Sequence, residues 1–155
     1  MRAESISARI SVPASPAPVN SEETVIANSH VVGSSRPTNK TALPAMLERG
    51  RGRIINIGAG AAAGRAAAGM GAYTASKAGV QRLTESLSDE VKDRGITVNA
   101  ILPGTIDTPR NRADMPHADF TRWVAPEEIA EVILFLASDA ARAVTGAAIP
   151  VLGRG

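Results

Sequence analysis

Residues 53–104 read RIINIGAGAAAGRAAAGMGAYTASKAGVQRLTESLSDEVKDRGITVNAILPG, and the fold follows from this run. Arg53 to Ile57 is a short, β-branched stretch ending at glycine, the pattern of a strand buried on both faces of a parallel sheet. A loop of glycine and alanine runs from Gly58 to Gly71. From Ala72 to about Arg94 the spacing predicts a helix, with Val80, Leu83, Leu87 and Val91 as its apolar stripe and Gly95 as its stop. Ile96 to Leu102 is the next strand, ended by Pro103 and Gly104.

Outward from this unit the alternation continues. Upstream, Leu43, Met46 and Leu47 lie at helical spacing from Thr41 until Gly50 and Gly52 stop the turn. Downstream, an irregular polar stretch reaches Val124. Pro126, Glu127 and Glu128 then open a helix at its first turn, with Ile129, Val132, Ile133 and Leu136 as its buried face. A turn at Thr145 and Gly146 leads to Ala147–Leu152, a third strand. Strand, helix, strand, helix, strand implies parallel units with right-handed crossovers: an α/β chain forming part of a doubly wound sheet.

Residues 1–40 differ. They hold eight serines and four prolines and no leucine or aromatic residue, so they can bury little against the entropy of ordering and are expected to be a flexible arm. Val25, Ile26, Val31 and Val32 leave room for one short strand. The domain expected from the pattern is therefore 41–155.

Composition narrows the function classes. With 44% hydrophobic and 21% charged residues the 155-residue chain has the balance of one globular domain. Its 17 basic and 15 acidic residues are interspersed, and aromatics are only 3%, which argues against a nucleic-acid partner. The absence of cysteine removes disulfides and thiolate metal sites, and no metal is expected. No apolar stretch approaches the ~20 residues of a membrane helix, and the N-terminus has no secretory core. A cytoplasmic location is the expectation.

Tyr73 and Lys77 are four apart, so both side chains leave one helix face on successive turns. A neighbouring ammonium favours phenolate, the tuning a general acid/base requires. Taken alone, this spacing also occurs on ordinary exposed helix faces. In this chain it sits within AYTASKAGV, after a strand ending Asn56-Ile57 and before VNAILPG and TIDTP. That ordered set resembles the short-chain dehydrogenase/reductase family.

The resemblance implies a Rossmann-like sheet, of which this chain carries the C-terminal half. It implies NAD or NADP as cofactor and a small-molecule substrate. Tyr73 becomes the acid/base, and Lys77 the residue that assists it and holds the nicotinamide ribose. Asn99, Pro103, Gly104, Ile106 and Thr108 match the run that contacts the nicotinamide end, beyond the carboxyl ends of the strands. Self-association through the tyrosine helix and the helix before it is the expected partnership.

Two departures stand out. The family's serine beyond the Asn56-Ile57 strand is replaced at Ala59 or Gly60; Ser76, inside the tyrosine motif, packs or back-bonds instead. No G-x-G-x-x-G loop is present, since Gly58, Gly60 and Gly64 miss that spacing by one residue. Residues 106–123, IDTPRNRADMPHADFTRW, resemble the matching segment of dihydropteridine reductase-like members, which also have alanine for serine. The resemblance thus points to reduction of a quinonoid dihydropterin or a carbonyl. The rival reading is a truncated, non-catalytic remnant, an interaction module or a pseudogene product.

Overall fold

The computed structural model describes residues 24–28, 38–60 and 68–154. In chain order they form strand β1 (Thr24–Asn28), helix α1 (Thr38–Arg49), strand β2 (Gly52–Ile57), helix α2 (Gly71–Val91), strand β3 (Ile96–Pro103), short helix α3 (Pro109–Asp114), helix α4 (Pro126–Ala137) and strand β4 (Ala148–Val151). The strands make one sheet in the order β1-β2-β3-β4. Every pairing is parallel, with Val25 opposite Ile54, Ile54 opposite Val98 and Ile101 opposite Ile149. The expected α/β architecture is present.

Alternation along β2 and β3 explains why their sequences read as unbroken apolar runs: successive side chains point to opposite faces, and both faces are covered. On one face Ile54, Ile96 and Val98 pack beneath Met46 of α1 and Leu87 and Val91 of α2. On the other, Ile55 and Ile101 pack with Val124, with Ile129 and Leu136 of α4, and with Ala141. Val132 and Ile133 of α4 join that cluster from its margin.

One expectation needs correction, and one is taken up. The room left for a strand near Val25 and Ile26 is used by β1, which pairs along β2. Residue 41 falls inside α1; the behaviour of the rest of residues 1–40 lies outside the described residues. Leu83, assigned to the buried stripe of α2, is 47% exposed. The buried arc instead runs through Val80, Thr84, Leu87, Ser88 and Val91 with Gln81 at its flank, and Leu83 falls on the opposite side of that arc.

Two polar ties fix the frame. Asn56, fully buried on β2, donates from Nδ2 to Thr84 Oγ1 of α2 at 2.9 Å, and Thr84 donates onward to the Val80 carbonyl at 2.8 Å. Asn99, buried on β3, donates to the Val144 carbonyl at 2.8 Å and accepts from the Ala147 N–H at 3.1 Å. At Gly95, which ends the turn after α2 with φ of 70°, an added Cβ would run into the Gly50 carbonyl. Glycine alone satisfies both demands there.

Candidate active site

A cleft of about 1070 Å³ opens at the carboxyl ends of the strands, where ligands of open α/β sheets bind. β2 delivers Ala59 and Gly60, α2 delivers Met70 and Tyr73, and β3 delivers Pro103 to Ile106. Leu152, just past β4, closes one side, and Asn111, Met115, Asp119, Arg122 and Trp123 come from the connection between β3 and α4.

Tyr73 stands in the first turn of α2, 44% exposed, with its ring on the cleft. One turn later Lys77 points back toward the sheet, and its Nζ lies 3.4 Å from the Ile57 carbonyl at the end of β2. Partial burial pushes the Lys77 ammonium below its usual pKa, because removing water from the charged form disfavours it. Ser76 donates to the Tyr73 carbonyl at 2.6 Å, the back-bonding expected of it.

The two candidates for the replaced serine separate here. Ala59 already carries a Cβ and lines the cleft while buried. At Gly60 a Cβ would lie 2.7 Å from Leu152 Cδ2 and 3.1 Å from the Pro103 carbonyl, so that glycine serves close packing. Gly104 does the same on the neighbouring strand: its N–H bonds the Val151 carbonyl at 2.9 Å, and a Cβ there would sit 2.9 Å from the Leu152 carbonyl.

Of the expected site residues, Tyr73, Pro103, Gly104 and Ile106 meet at the cleft; Lys77 and Thr108 stand behind its lining. Thr108 caps α3, its Oγ1 accepting from the Asn111 N–H at 3.2 Å, with Pro109 as the first helical residue. Asn99, the first residue of the matched run, uses both ends of its amide on the turn before β4. The part of the wall formed by Met115, Asp119 and Arg122 has no signal in the sequence, because residues 105–124 show no periodic pattern. Thr108-Pro109, a cap followed by proline, is the signal that announces α3. Among the described residues no group of acidic, histidine or cysteine side chains could hold a metal ion. No helix is long and apolar enough to cross a membrane among them either.

A family model described as enoyl-(acyl carrier protein) reductase matches residues 28–153. The chain belongs to the short-chain dehydrogenase/reductase family. It is 44% identical over 124 residues to the 3-oxoacyl-[acyl-carrier-protein] reductase FabG of Pseudomonas aeruginosa, covering 74% of this chain and 49% of that protein. It is 40% identical over 116 residues to the acetoacetyl-CoA reductase of Allochromatium vinosum, covering 70% and 47%. The crystal structure of acetoin dehydrogenase from Enterobacter cloacae superposes with a TM-score of 0.65 at 34% identity, covering 74% of this chain and 48% of that one. The chain thus spans about half the length of these short-chain dehydrogenase/reductase relatives. These likenesses carry the family.

The residues present fit one end of a dinucleotide. Tyr73 and the backbone from Pro103 to Ile106 line the cleft, with Lys77 one turn behind Tyr73, and these are the residues that would hold a nicotinamide. A pyrophosphate needs backbone N–H groups at a glycine-rich helix N-terminus, and the sequence carries no such loop.

Proposed function

We propose that this chain supplies the proton-transfer half of an NAD(P)H-dependent reductase of the short-chain dehydrogenase/reductase type. The observation that carries this reading is Tyr73 on the cleft with Lys77 one turn behind it, at the carboxyl edge of a parallel sheet. Bound NAD(P)H supplies a hydride. Lys77, with the Pro103–Ile106 backbone and Thr108, would hold its nicotinamide end. Tyr73 keeps a proton at its phenolic oxygen for the substrate atom that gains electron density, which is general acid catalysis.

Ala59 offers no hydroxyl where a carbonyl oxygen would need a second donor to polarise it. That favours a substrate whose ring is already electron-poor, a quinonoid dihydropterin, over a simple ketone. Carbonyl reduction is the second reading, favoured by the 44% identity to a 3-oxoacyl reductase. The sequence given carries no G-x-G-x-x-G loop, so a test of cofactor binding supplies a family-type first half. Self-association through α2 is supported by its outward Leu83; Leu83→Glu should lower the sedimenting mass, and an unchanged mass argues against that contact.

The test is a protein in which a family-type first half is fused ahead of β1 rather than at residue 41. It should reduce quinonoid 6,7-dimethyldihydropterin faster than acetoacetyl-CoA. The reverse ranking returns the substrate to carbonyls, and no turnover of either favours the non-catalytic remnant.

A further inference from the structure

The elements that distinguish residues 106–123 are bonded to one another. Arg112 grips Asp107 with two parallel bonds, Nε to Oδ1 at 2.6 Å and a terminal nitrogen to Oδ2 at 2.7 Å. Each partner favours the charged form of the other, holding the Asp107 carboxyl below its usual pKa. Asn111 turns its amide inward to the Ile106 carbonyl at 2.7 Å, which pins α3 to the end of β3. The Arg112 guanidinium then lies over the Phe120 ring, 4.8 Å from its centre. Phe120 in turn meets Trp123, with ring centres 4.8 Å apart and planes tilted by 57°.

The far end of this chain of contacts is a wall of the cleft that also holds Tyr73. The backbone on either side of Trp123 is fixed independently: the Arg154 N–H bonds the Arg122 carbonyl at 3.1 Å and the Val124 N–H bonds the Thr105 carbonyl at 3.0 Å. Among the described residues the indole Nε1–H makes no hydrogen bond, and the ring it meets is Phe120, with the Arg112 guanidinium over that ring.

We infer that Arg112 is a positioning residue: locked on Asp107, it holds Phe120 and so sets the Trp123 indole as a wall of the substrate cleft. Two properties make arginine suited to this. Its planar fork matches a carboxylate in two parallel bonds, and its face stacks on an aromatic ring at the same time. Lysine offers the charge without the fork. The wall bears on catalysis only through the proposed function above, whereas the setting of the indole does not depend on that reading.

Trp123 is the single tryptophan of the chain, so its fluorescence reports this position alone. In the full 155-residue chain, Arg112→Gln should raise the acrylamide quenching constant of Trp123 by about two- to five-fold, the weight of one cation–π contact at an exposed site. Arg112→Lys should fall between the two. Arg110→Gln, which removes the neighbouring arginine that pairs with Asp114 instead, should leave quenching unchanged. If Arg112→Gln does not fold, Phe120→Leu carries the test, since it breaks the chain of contacts while leaving the Asp107 grip intact; it should free the indole to the same extent. Unchanged quenching in either folded variant, or an equal rise in Arg110→Gln, overturns the inference. In the fused enzyme Arg112→Gln should raise KM for the preferred substrate with kcat nearly unchanged. A freed indole with unchanged KM would overturn the role of the wall. An inactive fused enzyme would count against the proposed function and leave the fluorescence result standing.

Discussion

The β2-α2-β3 unit and the connection between β3 and α4 meet at one cleft but are held by different forces. Tyr73 rides on a helix whose inner face is buried against Ile54, Ile96 and Val98 and which is tied to β2 through Asn56 and Thr84. Trp123 rides on a segment whose main side-chain ties, from Asp107, Arg112 and Asn111, lie at the surface or close to it. Burial of apolar area supplies most of a fold's stabilisation, whereas exposed ion pairs add about 0–1 kcal/mol. The difference teaches that the helix carrying Tyr73, the proposed acid/base, is built into the core, whereas the Trp123 side chain is held by contacts nearer the surface, beside the buried Val124. The wall can therefore vary without unfolding the frame that carries the chemistry.

The sharpest way to break this comparison is through stability. Leu136→Ala, which empties a fully buried position on the inner face of α4, should cost about 2–5 kcal/mol in urea unfolding. Asp107→Asn, at an exposed ion pair, should cost far less. Comparable losses from the two substitutions would show that the connection is part of the core after all.

A second, smaller contrast lies at the replaced serine. Gly60→Ser should destabilise by roughly 1–3 kcal/mol, because its Cβ meets Leu152 and the Pro103 carbonyl. Ala59→Ser should be close to neutral and, in the fused enzyme, should help carbonyl substrates more than pterins. Equal gains for both would remove the argument from the missing hydroxyl.

The smallest effect concerns pH. The folded-state pKa of Asp107 is depressed by the hydrogen bonds from Arg112, so the contribution of this pair is fully present above the ordinary aspartate value of 3.8 and is lost as pH falls through the lower folded value. Quenching of Trp123 should accordingly stay level from about pH 8 to about pH 5 and rise only in stronger acid. A rise already near pH 6 would mean that another group holds the ring.

The legibility of the molecule follows the same division. RIINI and ITVNAIL announce themselves as short apolar runs, because burial on both faces removes the polar alternation, and α4 announces itself through the helical spacing of its one buried face. Leu83 shows the limit of that pattern: Thr84, polar yet buried, takes the place next to Val80 that an apolar count gives to Leu83. β1 was visible only as room for a strand, since five residues among serines and prolines carry little periodic signal. At the site, Tyr73, Pro103, Gly104 and Ile106 were named from motif order, and they do line the cleft. Asn99 stood in the same motif, and only the bonds to Val144 and Ala147 show its amide turned away. The Arg112–Phe120–Trp123 contacts join residues eight and three apart on irregular backbone, where spacing predicts no shared face.

The central claim is that Tyr73 donates the proton. In the fused enzyme, turnover of quinonoid 6,7-dimethyldihydropterin with NADH or NADPH should fall by roughly 10²–10⁴ on Tyr73→Phe, with the melting temperature nearly unchanged because the half-exposed ring keeps its packing. A Tyr73→Phe enzyme that turns over at the wild-type rate would contradict the claim.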